Sequence, residues 1–436
     1  MGKYFGTDGI RGEFNNKLTV DLAFEIGKAA GSIYPIGSKV CIGQDPRKSS
    51  STIEFALVSG LLATGVNVVS FGVTSTPCVS YSIIHHSYES GIMISASHNP
   101  YYDNGIKFFG KNGSKLSDEL EAKMEALIDS KEYRLVDTKD LGTHTFDTTA
   151  VSEYENYLVS LGTSMKDVKI CLDSANGSSY NLAKAVFKRL GADVTVIGDR
   201  PDGININDNI GSTHPEKIAE LMKSGEYDFG FAYDGDADRI ILIANDGTIL
   251  DGDYILFLLG KYFKQNDKLK NNVVISTVMA NLGFIEGLAK EGIEVVKTSV
   301  GDRFVMQGIV EHDAAVGGEQ SGHIILPEFL PTGDGILVSV FLANLIVNSE
   351  DDILHLANQM EKFPQVLINK KVADKHAAME SPELLAEIEK YEKQLGETGR
   401  ILVRSSGTEE LVRVMVEAKD LETCQTICEN LMEFVN

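Results

Sequence analysis

Three aspartates stand at alternate positions in DGDADR, residues 234–239, directly after the apolar run FGFAY. Carboxylates at i, i+2 and i+4 with only Gly235 and Ala237 between them repel one another unless a cation sits among them, and hard oxygen ligands suit Mg²⁺. Asp234, Asp236 and Asp238 are therefore candidate metal ligands, with a solvated acidic turn as the competing reading. An EF-hand loop does not fit. Its sixth position would be Arg239 rather than glycine, its twelfth Asn245 rather than glutamate, and the flanks read as strands.

A second polar string interrupts an apolar run in GIMISASHNPYYDNGIKFF, residues 91–109. Asn-Pro and Asp-Asn-Gly are turn formers, so Ser97 should lie just beyond the C-terminal end of a strand, where open α/β sheets bind ligands. A hydrolase nucleophile is one thought, because His98 follows at once. No G-x-S-x-G elbow is present, however, and neighbours in an extended segment point to opposite sides, which argues against His98 as the base of Ser97. Taken alone the loop reads more readily as a capping serine in a turn. Lys107, in the NGIKFF that leaves the loop, is either a proton acceptor and phosphate clamp or an ordinary surface lysine.

Three further strings carry suitable groups. GGEQSGH, residues 317–323, offers Glu319, Ser321 and His323 on a glycine-rich turn, with polar groups for sugar hydroxyls and a histidine in the physiological range. RSSGT, residues 404–408, sets Arg404, Ser406 and Thr408 around Gly407, with Arg413 on the strand that follows, as a phosphate cradle requires; a plain hairpin with solvated arginines competes. GTDGIRG, residues 6–12, places Thr7, Asp8 and Arg11 between glycines as another anion contact.

These strings are positioned by a repeat. A first strand recurs as VCIG (40–43), VKICLD (168–173) and NVVIST (272–277), each entering a loop: QDPRKSS, SANGSS and VMANLG. A helical stretch follows and closes at a glycine suited to a left-handed C-cap, Gly65, Gly191 and Gly292. The second strand is VNVVSFG, ADVTVIG and IEVVKTSVG, and the third is GIMISASHNP, DFGFAYDGDADR and AAVGGEQSGH. Strand, helix, strand with such crossovers is the βαβ signature of a parallel or mixed sheet. The unusual polar strings thus occupy equivalent joints, which sets Ser97 beside the metal candidate and points to phosphoryl rather than acyl chemistry.

The tail departs from the repeat. From Gly399 it reads as a strand, a Ser-Ser-Gly-Thr loop, a second alternating strand and an amphipathic helix, a smaller α+β domain. Boundaries are expected in the polar stretches 140–152, 245–253 and 362–372. The fold class is therefore α/β, three related units with mixed sheets followed by a smaller α+β domain, at residues 1–150, 151–250, 251–365 and 366–436.

The chain has 436 residues, and 40 basic against 63 acidic side chains leave a formal charge of −23. Such a field repels nucleic acid and anionic membrane, so an anionic substrate must be held by a local cluster of Arg and Lys. Five cysteines, an odd number without a C-x-x-C pair, fit reduced thiols in a cytoplasmic protein. No signal-peptide core and no membrane-length apolar run is present, so no membrane partner is expected.

In order along the chain, GTDGIRG, ISASHNPYYDNGIKFFG, DGDADR, GGEQSGH, TGDGI and RSSGTEELVRVMVEA resemble the α-D-phosphohexomutase superfamily, and within it the bacterial branch acting on glucosamine phosphates. The resemblance runs through nearly the whole chain. It implies four domains around a central cleft, one Mg²⁺ per chain held by Asp234, Asp236 and Asp238 with Ser97, and Ser97 carried as phosphoserine. It places Arg11, His98, Lys107 and Arg239 in the catalytic centre, with Lys107 or His323 the general acid/base. Glu319 and Ser321 would grip sugar hydroxyls, while Arg404, Ser406, Gly407, Thr408 and Arg413 hold the phosphate that is not reacting.

The implied reaction interconverts glucosamine 6-phosphate and glucosamine 1-phosphate through a hexosamine 1,6-bisphosphate, feeding amino-sugar nucleotide and cell-wall precursor synthesis. A homodimer is one assembly the resemblance allows. Phosphoglucomutase or phosphomannomutase activity, and a catalytically silent sugar-phosphate sensor, stay open as alternatives. Relatives commonly read Arg-Pro-Ser-Gly-Thr-Glu-Pro in the last loop, where this chain has Ser405 and Glu410 in place of the prolines. Losing two φ locks should loosen the cradle without abolishing it.

Overall fold

The computed structural model describes residues 2–405 and 411–435, apart from the side chains of His376 and Glu397. They form two compact bodies, one of Met1–Met279 with Gly292–Asn358 and one of Ala280–Glu291 with Gln359–Asn436.

Three sheets make up the first body. The first contains β1 (Ile10–Glu13), β2 (Lys39–Gln44), β3 (Asn67–Val73), β4 (Ser90–Ile94), β5 (Asp103–Phe109) and β6 (His144–Phe146) in the order β1-β5-β4-β2-β3-β6. The second contains β7 (Lys169–Asp173), β8 (Asp193–Ile197), β9 (Phe229–Tyr233), β10 (Ile240–Ala244) and β11 (Ile249–Leu250) in the order β11-β10-β9-β7-β8. The third contains β12 (Val273–Thr277), β13 (Glu294–Thr298), β14 (Gly317–Gly318) and β15 (Ile324–Ile325) in the order β13-β12-β14-β15.

The expected repeat is present in all three. The first strand lies centrally, parallel to the second on one side and to the third on the other, and a returning strand then pairs antiparallel with the third. Central strands of this kind are covered on both faces, which is why they read as unbroken apolar runs rather than alternating ones. Gly65, Gly191 and Gly292 close the crossover helices at φ of +82°, +100° and +66°, the left-handed values that favour glycine.

The helices Val20–Ile33 and Ser50–Ala63 pack so closely that a Cβ on Gly60 would lie 2.5 Å from the Phe24 carbonyl oxygen, so glycine is required there. The helix Gly335–Val347 is apolar around nearly its whole circumference and is buried. Its N-terminus is closed by Asp334, whose carboxylate accepts from Ile336 N at 3.1 Å and Leu337 N at 2.9 Å.

The second body holds β16 (Gln365–Lys371), β17 (Gly399–Ser405) and β18 (Leu411–Ala418) in the antiparallel order β16-β18-β17, with the helix Leu421–Phe434 against them. Its core is Val412, Val414, Val416, Ile427 and Leu431. Within the polar stretch 362–372, Gln365–Lys371 forms an edge strand of the second body's sheet. Its side chains are only half-buried or exposed, so the sequence carries little apolar signal.

Candidate active site

Ser97 lies three residues past the end of β4 and is 1% exposed. Its φ is +52°, in the left-handed region that non-glycine residues seldom occupy. The hydroxyl donates to Asp234 Oδ2 at 2.5 Å and lies 3.3 Å from His98 Nδ1. The argument from opposite faces of an extended segment therefore fails: the left-handed turn brings Ser97 and His98 together. Burial first, then Arg239 and Arg11, push the His98 imidazolium down to about 4, so the ring is neutral at physiological pH.

DGDADR is the turn between β9 and β10, with Ala237 at a φ of +60°. One carboxylate oxygen from each of Asp234, Asp236 and Asp238 lies within 4.8 Å of the others, and all three side chains are buried. Asp236 Oδ1 and Asp238 Oδ1 accept no hydrogen bond among the described residues. Three buried carboxylates this close, two of them with an unsatisfied oxygen, fit a hard divalent cation such as Mg²⁺.

The other oxygens are engaged. Asp236 Oδ2 accepts from Thr76 Oγ1 at 2.5 Å and from Lys107 Nζ at 2.7 Å, while Asp238 Oδ2 lies 3.3 Å from the same lysine. Burial, together with Asp238 and Asp236, holds the Asp234 carboxyl well above the usual range. For Asp238 burial works the same way but is outweighed by Lys107, His323 and Arg239, which take it down to about 2. Lys107 is no surface lysine: it is 2% exposed, and Asp236, Asp8 and Asp238 outweigh burial to hold its ammonium above the usual lysine value.

The antiparallel pairing of β1 with β5 sets Arg11 opposite Gly105 and so carries GTDGIRG to the same place. Arg11 pairs with Asp8, and Asp8 also meets Lys107 at 3.1 Å and Lys115. Lys115 pairs in turn with Asp302, whose Oδ2 is 3.9 Å from His323 Nε2. Arg239 gives its backbone N–H to Asp234 Oδ1 at 3.2 Å, and its Nε is 4.0 Å from Asp238 Oδ1. Thr76, Lys115 and Asp302 were not found from sequence. The only signal for them was position, since Thr76 and Asp302 follow the second strands of the first and third copies.

GGEQSGH forms the tight turn between β14 and β15. Glu319 accepts from Gly301 N at 3.1 Å, His323 is 4% exposed, and Ser321 is on the surface. Ile240 N donates to Gly322 O at 3.0 Å and Gly335 N to Ala237 O at 2.9 Å, so this turn and TGDGI are tied to the DGDADR turn. Beside His323 opens a cavity of about 310 Å³ lined by Lys115, Asp302, Arg303 and Thr332. In the second body, Arg404 on β17 stands opposite Arg413 on β18, and Asn369 on β16 continues the row. Like charges directly opposed in a sheet are unfavourable without an anion between them. Ser406, Gly407 and Thr408 lie outside the described residues.

Four family models match the chain. They are phosphoglucomutase/phosphomannomutase alpha/beta/alpha domain I over residues 2–135, domain II over 152–247, domain III over 251–363 and the C-terminal domain over 367–434. A phosphoglucosamine mutase of Streptococcus pneumoniae is 45% identical over 443 aligned residues, covering 100% of this chain and 98% of the relative. The chain belongs to the phosphoglucomutase/phosphomannomutase family.

The phosphohexomutase fold extends to solved structures of lower identity. A phosphoglucomutase/phosphomannomutase family protein of Burkholderia thailandensis superposes with a TM-score of 0.83 at 23% identity, over 98% of this chain and 96% of that one. A putative phosphomannomutase of Thermus thermophilus gives 0.80 at 23% over 99% and 98%. The Aspergillus fumigatus N-acetylphosphoglucosamine mutase, solved with GlcNAc-6P and magnesium, gives 0.69 at 18% over 99% and 95%. Among the described residues of this phosphohexomutase, no helix is long and apolar enough to cross a membrane.

Proposed function

We propose that this protein interconverts glucosamine 6-phosphate and glucosamine 1-phosphate, with Ser97 carried as phosphoserine. The reading rests on the buried Ser97 hydroxyl bonded to Asp234 inside a three-carboxylate cluster. It is supported by full-length 45% identity to a relative named phosphoglucosamine mutase.

The free 1-hydroxyl of glucosamine 6-phosphate attacks phospho-Ser97. A P–O bond to the sugar forms, the bond to Oγ breaks, and the hydroxyl proton passes to a base while a proton reaches the serine oxygen. The resulting 1,6-bisphosphate turns round and returns its 6-phosphoryl group to Ser97, so no phosphate is gained or lost. Lys107, held as an ammonium by its carboxylate neighbours, suits clamping the phosphoryl group and is no proton acceptor, which leaves His323 as the candidate acid/base. Mg²⁺ held by Asp234, Asp236, Asp238 and the serine phosphate would neutralise charge on the moving phosphoryl group.

Arg11 and Arg239 take its remaining oxygens, and neutral His98 accepts from or donates to the serine. Glu319 and Ser321 engage sugar hydroxyls. Arg404 and Arg413, with Ser406, Gly407 and Thr408, hold the other phosphate in either orientation. We assign these tasks to domains at 1–150, 151–250, 251–365 and 366–436.

The test is ³¹P NMR of phosphorylated protein with Mg²⁺ and glucosamine 6-phosphate, beside glucose 1-phosphate and mannose 1-phosphate. Preferential formation of glucosamine 1-phosphate is expected. Turnover of the neutral hexoses alone would overturn the substrate, and silence on all three would overturn the reaction.

A further inference from the structure

The loop QDPRKSS follows β2 and takes no part in the chemistry above, yet its Arg47 is 2% exposed and all five guanidinium donors are used. Nε donates to Asp45 Oδ2 at 2.9 Å. Nη1 donates to the carbonyls of Pro100 and, at 3.2 Å, Asp103, and Nη2 to those of Ser97 at 2.9 Å and Asn99 at 2.8 Å. Four of the five bonds thus fall on backbone carbonyls of the segment that carries the serine.

The same network reaches the N–H side of Ser97. Asp45 Oδ2 accepts from Ser95 Oγ at 2.6 Å, and Ser95 Oγ accepts from Ser97 N at 2.9 Å. From the second α/β unit, Asn207 Nδ2 donates to the carbonyls of Ser97 at 2.8 Å and Asn99 at 3.1 Å, the pair that Arg47 Nη2 holds. A left-handed serine persists only where its surroundings over-determine it, and here both polar groups of its backbone are tied down.

We propose that Asp45, Arg47 and Asn207 form a positioning clamp that keeps Ser97 left-handed and so aims Oγ at the aspartate cluster. Arg47 acts through Ser97 and touches no reacting atom. Because Asn207 belongs to the second unit, the aim of the serine also depends on the packing of that unit against the first. The proposal rests on Ser97 being the phosphoryl carrier.

Two variants test it with fold preserved. Arg47→Lys keeps a cation beside Asp45 but loses the planar fork. Asn207→Gly removes the donating side chain without straining the backbone, because the φ of +57° at this position suits glycine. With thermal melting as the check on folding, kcat on glucosamine 6-phosphate should fall about 10²-fold in Arg47→Lys, the scale of a small misplacement of a reacting group, with KM little changed. Asn207→Gly should lose about tenfold in kcat, and the double variant should lose no more than Arg47→Lys, since both donors serve the same carbonyls.

Wild-type kcat in both variants would overturn the clamp, as would losses that follow only the unfolded fraction or fall on KM. Wild-type protein that takes up no phosphate on Ser97 overturns the parent reading and the clamp with it. That outcome is told apart by the intact mass of the wild type alone.

Discussion

At the scale of single residues, the centre is a set of charges that tolerate burial only together. Lys107 sits among Asp8, Asp236 and Asp238, and of the four only Asp8 keeps partial access to water. Removing one partner of such a group leaves the rest uncompensated, at a cost of about 3–5 kcal/mol. Lys107→Met should therefore lower stability to urea by that amount in EDTA, and Mg²⁺ should restore part of it by supplying the missing positive charge. Equal stability of variant and wild type in EDTA would show that the carboxylates are not held by the lysine. Ser97 and the three aspartates were legible because turn formers and alternating carboxylates announce themselves in a few consecutive letters. Arg47 was not, since its partners are carbonyl groups some 50 residues away, and carbonyls have no letter of their own.

At the scale of elements, the βαβ repeat was readable because buried parallel strands leave apolar runs and left-handed C-caps leave glycines. The short edges were not: β15 is only two residues long, and the side chains of β16 are only half-buried or exposed. A prediction at this scale concerns the cap of the helix Gly335–Val347. Asp334 also accepts from the Tyr154 hydroxyl, and burial raises its carboxyl to about 6 despite the bonds from Leu337, Tyr154 and Ile336. A carboxyl raised in the folded state contributes stability below its unfolded value near 3.8 and loses it as pH rises through about 6. Wild-type protein should then lose roughly 2 kcal/mol relative to Asp334→Asn between pH 4 and pH 7. Urea midpoints of both proteins across that range test this, and parallel curves would refute it.

At the scale of the whole molecule, the third copy of the repeat does not stay within one body. The chain leaves β12, and its crossover helix Leu282–Lys290 groups with the C-terminal strands. The sequence pattern of strand, helix and strand gives no sign of this, because it records the order of elements and not which core a helix joins. The tie is polar: the carboxylate of Glu417, fully buried on β18, accepts from Leu282 N at 2.7 Å and from Arg400 Nε at 2.6 Å. Asn281 adds two bonds, giving Nδ2 to Phe363 O at 3.0 Å and accepting from Phe363 N at 3.0 Å. Leu282 is the first residue of its helix, a position where proline is well tolerated, and Asn281 before it already has the extended ψ of 141° that a following proline prefers. Leu282→Pro therefore deletes one donor to a buried carboxylate while sparing the helix. The expected cost is about 1–3 kcal/mol, and it should appear as faster hydrogen exchange across β16, β17 and β18 with β2, β3 and β4 unchanged. Unaltered exchange in the C-terminal strands would mean that Glu417 does not bind this helix to them, and that the crossover belongs with the sheet it connects.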